Sequence, residues 1–304
     1  MRVASLDFGT NTFLCLICDV VGGEIGEVVE DLSEVVRLGE GVHASRRLSP
    51  AALLRAEQAM ATFRKRMDAC GVKKVAAVAT SAARDVENGE ELFRLAKKYQ
   101  IPLKIVSGAQ EAAFTFHGAL VGCLWPAVDV VVVDIGGGST EVISQKQDRS
   151  ILAQSFNLGS VRLTELFFPS APVTGEQLTK CKRFVRDELR SSAEFFSAQQ
   201  GKIAIAVAGT PTTLAALNLG RDFVAEEIEG RILSLDSLMD WEERFSVMTL
   251  QEIQMLTGMH PRRADVILAG TLLLRLLAEH LNIREYVVST RGVRYGLAKT
   301  MDQF

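Results

Sequence analysis

Two short segments carry residues that could handle phosphate: Asp7-Phe8-Gly9-Thr10-Asn11-Thr12 and Asp134-Ile135-Gly136-Gly137-Gly138-Ser139-Thr140-Glu141. Each follows an apolar run that reads as a buried strand. Each then has a carboxylate at the strand end, glycine, and hydroxyl residues. Glycine lets backbone N–H groups turn toward an anion with no side chain in the way. Gly9, Thr10, Asn11 and Thr12 would form one grip, and Gly136, Gly137, Gly138 and Ser139 the other. Asp7 and Asp134 suit Mg2+, which binds through one or two protein carboxylates plus substrate phosphates. Glu141 is a further ligand or a supporting partner. The segments are 127 residues apart (134 − 7), a repeat at domain scale. The expectation is two phosphate loops facing each other across a cleft. One Asp-x-Gly-x-Thr alone is a common turn; its repetition at matching strand ends carries the phosphate reading.

Two equivalent loops require two equivalent sets of elements. Alternating apolar residues predict strands over 2–8, 12–20 and 24–31, with Gly22-Gly23 at the second turn. Ser49 as cap and Pro50 at the first helical position open a helix to about Cys70. A strand over 75–79, a helix over 90–99, a strand over 103–106 and a helix from Ala109 to about Cys123 follow. Trp125-Pro126 interrupts the pattern. It then restarts, with strands over 128–135, 140–145 and 151–157. Helices over 160–168 and 174–198, a strand over 202–207 and a helix over 209–218 come next. Helical stretches over 235–256 and 261–281, a strand over 285–288 and a closing helix from Val293 complete the chain. The fold class is therefore α/β and duplicated, with domains 1–124 and 125–304 around a cleft.

Composition narrows the function. The 304 residues are 48% hydrophobic and 23% charged, enough apolar material for two cores. Net charge is −3, which removes the basic face that generic nucleic-acid binding needs. No apolar run has the length of a membrane span, and the N-terminus reads as a strand rather than a signal peptide, so a cytoplasmic protein is expected. Five scattered cysteines fit reduced thiols. Cys15 and Cys18 have C-x-x-C spacing but fall on a strand, where residues three apart point to opposite faces. They read as core thiols. The four histidines show no ligand spacing.

Further stretches, in order, join the two loops: 37–41 (Arg-Leu-Gly-Glu-Gly), 79–85 (Ala-Thr-Ser-Ala-Ala-Arg-Asp), 107–112 (Ser-Gly-Ala-Gln-Glu-Ala), Ala208-Gly209-Thr210, 261–267 (Pro-Arg-Arg-Ala-Asp-Val-Ile) and Arg291-Gly292. With them the whole chain resembles the Ppx/GppA phosphatases, which are exopolyphosphatases and guanosine pentaphosphate phosphohydrolases. The resemblance implies an actin-like (ribonuclease H-like) ATPase fold and Mg2+-dependent hydrolysis of terminal phosphoanhydride bonds. The substrate would be inorganic polyphosphate or pppGpp. It implies Glu111 as general base, and Arg84, Arg37 and Arg262 as phosphate ligands. It leaves K+ as a second candidate cofactor and a homodimer as a candidate assembly. Three residues depart from the family pattern: Gln110 where a second acid is common, Thr290 for aspartate, and Tyr295 for glutamate. The chain looks like a short form, which implies short polyphosphate chains. A superfamily kinase or ATPase and a non-catalytic (p)ppGpp-binding regulator are the alternatives.

Overall fold

The computed structural model describes residues 1–84 and 86–301. Asp85, the last residue of the 79–85 stretch, lies outside the described residues. The chain divides into two compact units: Met1–Val121 with the stretch from Arg291 onward, and Gly122–Thr290.

The first unit opens with β1 (Arg2–Phe8), β2 (Thr12–Val21) and β3 (Glu24–Val35). Next come α1 (Val42–Ser45), α2 (Pro50–Ala69), β4 (Lys74–Ala79), α3 (Ser81–Arg84), α4 (Gly89–Lys98), β5 (Leu103–Ile105) and α5 (Gly108–Ala119). The sheet order is β3-β2-β1-β4-β5, antiparallel through the meander and parallel from β1 to β4 and β5. Strand alternation turns Ala4, Leu6 and Phe8 into a core shared with Met60 and Phe63 of α2 and Leu92 of α4. Ser49 accepts from the Ala52 amide at 3.1 Å, and Pro50 stands at the first helical position, as the sequence predicts.

The second unit repeats the plan. It has β6 (Val130–Ile135), β7 (Thr140–Gln145), β8 (Ile151–Phe156), α6 (Ser160–Phe167), α7 (Gly175–Arg190), α8 (Ala193–Ser197), β9 (Ile203–Val207), α9 (Gly209–Leu219) and α10 (Ala225–Ile228). After these come β10 (Ile232–Ser234), α11 (Leu235–Val247), α12 (Leu250–Gln254), α13 (Ile267–Leu281) and β11 (Glu285–Val288). The order is β10-β11-β9-β6-β7-β8. β6 pairs antiparallel with β7 and parallel with β9, as β1 does with β2 and β4. β10 is an added antiparallel edge. The duplicated α/β architecture expected from the loops is therefore present.

Several boundaries differ from the sequence reading. The 174–198 and 235–256 stretches are each two helices; Thr249 breaks the second by capping α12 in a box with Glu252. The long helix begins at Ile267, after a 3-10 turn over Pro261–Arg263. α1, α3, α10 and β10 are too short to show a period. The largest difference is the C-terminus. The last helix, α14 (Val293–Lys299), belongs to the first unit rather than the second. Tyr295, Ala298 and Met301 bury against Val3, Leu16 and Cys18 on the sheet face opposite the α2 core. Glycines allow the approach: a Cβ at Gly118 would strike the Gly292 carbonyl, and one at Gly296 would strike the Phe114 carbonyl. Cys15 and Cys18 fall in the two different cores, and burial pushes both thiols up to about 12.

Candidate active site

The two loops are built alike. The Gly9 amide donates to the Thr12 carbonyl at 3.1 Å, and the Gly136 amide to the Ser139 carbonyl at 3.0 Å. A Cβ at either glycine would lie 3.0 Å from that same oxygen. In both, the segment leaving the third strand ties down the loop's carbonyls. Val36, Arg37 and Gly39 donate to Asn11 and Thr10, at 3.0, 2.8 and 2.8 Å. Ser160 and Val161 donate to Gly136 and Gly137, at 3.0 and 2.9 Å, and the Arg162 guanidinium holds the Gly138 carbonyl at 2.9 Å. With the carbonyls tied back, the amides face away. Among the described residues, those of Thr10, Asn11, Gly137, Gly138 and Ser139 donate to no protein acceptor. Thr10, Gly137, Gly138 and Ser139 are buried. A buried amide without an acceptor is costly, and an anion removes that cost. Arg37 takes a left-handed conformation, φ 52°, rare for a residue with a side chain and concentrated at functional sites. Arg55, absent from the sequence expectation, braces this turn through the Val36 and Arg37 carbonyls at 2.6 and 3.2 Å.

Glu111 is assembled at the same end of the first sheet. The Thr80 amide donates to the Phe8 carbonyl at 3.4 Å and the Val106 amide to the Ala79 carbonyl at 3.2 Å, so the ends of β1, β4 and β5 lie side by side. Ser107 caps α5, and the Gln110 side chain accepts from the Ser107 amide at 3.0 Å. Glutamine completes this capping box as glutamate would, so the departure at 110 keeps the helix start intact. Glu111 follows in the first turn and is buried. Its Oε2 accepts from Arg84 Nη1 at 2.7 Å, and the same nitrogen donates to the Val106 carbonyl at 3.0 Å. Thr80, at the end of β4, also favours the ionised carboxylate, more weakly than Arg84 does. Burial pushes the Glu111 carboxyl above the usual carboxylate range; Arg84 and Thr80 pull it down but do not prevail. Arg84, expected on phosphate, here donates to Glu111. Thr80 was missed, although the 79–85 stretch contains it.

Asp134 and Glu141 are directly paired across β6 and β7, and Glu141 is paired across β7 with Ser155, whose hydroxyl donates to it at 2.7 Å. Residues in one such row share a face, so the two carboxylates lie together. Among the described residues no group of three or more histidine, cysteine or acidic side chains could hold a metal. A pair of carboxylates suits Mg2+, which takes its remaining ligands from phosphate and water. Asp7, at the end of β1, lies in the field of Arg294. Arg294 forks onto Asp31 at 2.6 and 2.7 Å, and the Tyr295 hydroxyl donates to Asp31 at 3.0 Å. The Thr290 amide and hydroxyl both donate to Glu229 at 2.7 Å. The departures at 290 and 295 thus each bond a carboxylate from another element, Glu229 and Asp31, that sequence reading did not single out. Arg262 is exposed on its 3-10 turn. Its neighbour Arg263 turns inward and donates to the Gly209 carbonyl at 3.3 Å; burial pulls it down to about 10.

Known proteins are similar to this chain over nearly its whole length. The chain is 34% identical to exopolyphosphatase 2 of Mycobacterium tuberculosis, covering 99% of this chain and 98% of the relative. It is 28% identical to exopolyphosphatase 1 of the same organism, covering 98% and 87%. An exopolyphosphatase from Cytophaga hutchinsonii superposes with a TM-score of 0.90 at 27% identity, over 99% of this chain and 97% of that one. The Aquifex aeolicus PPX-GPPA enzyme gives 0.81 at 28%, over 99% of each. The profile of the Ppx/GppA phosphatase family matches residues 16–302. By these matches over nearly its whole length, the chain belongs to the Ppx/GppA phosphatase family.

Proposed function

We propose that this chain hydrolyses terminal phosphoanhydride bonds of inorganic polyphosphate, and that pppGpp, cleaved to ppGpp, is a second substrate. The exopolyphosphatase relatives support the first substrate class. Each phosphate loop offers backbone amides to non-bridging oxygens, which fixes the phosphates before reaction. Glu111 takes a proton from the attacking water. The oxygen of that water bonds to the terminal phosphorus, the P–O bond to the next phosphate breaks, and the electron pair leaves with the shortened chain. Mg2+, when bound, offsets phosphate charge; Asp134 and Glu141 are the pair suited to hold it, and Asp7 marks the matching position in the first unit. Arg37 sits on the first loop as a further phosphate ligand.

The observation that carries the reading is Glu111: a buried carboxyl at a helix start, reached through Thr80 from the first phosphate loop. The test is Glu111→Gln, which keeps shape and removes the base. Phosphate release should fall by roughly 100-fold or more. Turnover at the wild-type rate would remove Glu111 from the mechanism.

A further inference from the structure

Arg84 and Thr80 both favour the ionised form of Glu111, but they are placed differently. Thr80 is fixed at the end of β4, with its amide on the Phe8 carbonyl. Arg84 is the last residue of the short α3, and a quarter of its side chain (25%) reaches solvent. Only Nη1 of its guanidinium is engaged, by Glu111 and the Val106 carbonyl; Nε and Nη2 donate to nothing among the described residues. We propose that Arg84 is an exchangeable partner of the base: it pairs with Glu111 in this structure and passes to a substrate phosphate on binding. This deepens the hydrolase reading above and rests on it.

The chemistry favours the exchange. A phosphate chain presents more negative charge than one carboxylate and accepts a guanidinium fork, so it competes well for Arg84. The Val106 carbonyl anchors Nη1, so the spare nitrogens can turn without the side chain leaving the site. The groups facing Glu111 among the described residues are Arg84 from α3 and Thr80 from the end of β4, both of which favour its ionised form. Once Arg84 is drawn off, burial and the negative charge of the bound phosphate both raise the proton affinity of Glu111. The base thus becomes more basic when phosphate is present and stays ion-paired otherwise.

The exchange predicts competition between Glu111 and phosphate for one guanidinium. The test is a double-mutant cycle on binding of orthophosphate, the product, read by titration calorimetry on the full chain. Glu111→Gln should tighten orthophosphate binding roughly 3- to 10-fold, the scale of one charge-assisted hydrogen bond. In an Arg84→Gln background the same change should leave affinity within about twofold. Equal gains in both backgrounds would mark simple removal of negative charge and overturn the proposal. So would no gain in the wild-type background, or no measurable orthophosphate binding by Glu111→Gln. If Arg84→Gln does not fold, Arg84→Met takes its place with the same outcomes. The hydrolase reading fails separately, on persistent turnover by Glu111→Gln, whatever the cycle gives.

Discussion

Glu111 is subject to two opposed influences. Burial raises its proton affinity, and Arg84 and Thr80 lower it. A general base works best with its pKa near the working pH, so the balance matters more than either influence alone. Thr80 favours the ionised form. Removing its hydroxyl should therefore let the carboxyl keep its proton to higher pH. Thr80→Val should move the acid limb of the kcat profile upward and lower kcat at neutral pH roughly 3- to 10-fold, with KM little changed. Thr80→Ser should restore both. An unshifted acid limb in Thr80→Val would show that the hydroxyl does not act on the base. At this scale the sequence was legible in part. Glu111 stands out only through the family resemblance, since a lone glutamate in a first helical turn reads as a solvated carboxylate. Thr80 does not stand out, because a threonine in a short polar stretch gives no sign of which carboxylate it will meet.

The helix pair α5 and α14 decides where Glu111 points. α5 carries Glu111 in its first turn and Gly118 near its last, and Gly118 lies against the Gly292 carbonyl. Gly296 lies against the Phe114 carbonyl in the same crossing. Gly296→Ala leaves no room for the added methyl without spreading the helices. It should destabilise the protein by about 1–3 kcal/mol in urea titration. It should also lower kcat, since small displacements of a catalytic group are costly. An unchanged unfolding midpoint would show that the helices are not so closely opposed. The helices themselves are expected from the sequence, one from Ala109 and one from Val293, and the structure has both. Their crossing is not expected, because glycine in a helical pattern reads only as a weak position.

For the whole molecule, the duplication organises the chemistry: each unit carries one strand-end carboxylate and one amide-lined loop. The measurement that separates the substrates is phosphate release from tri-, tetra- and long-chain polyphosphate, pppGpp and ATP, with Mg2+ and with EDTA. Release should require Mg2+, and kcat/KM should be highest for the short chains. A strong preference for long chains would overturn that order. Release that requires an added acceptor would instead indicate a kinase.

The two glycine loops, the α/β alternation and the duplication are all legible before folding is considered, because strand-end carboxylates, glycines and apolar periods are local signals. It could not say that the C-terminal helix returns to the first unit, that Arg84 lies on Glu111, or that Asp31 and Glu229 accept from Tyr295 and Thr290. Asp31 and Tyr295 are 264 residues apart and Arg84 and Glu111 27 apart, and only packing brings them within hydrogen-bond reach. Local pattern selects elements; which side chains meet depends on where the folded sheet and its helices place them.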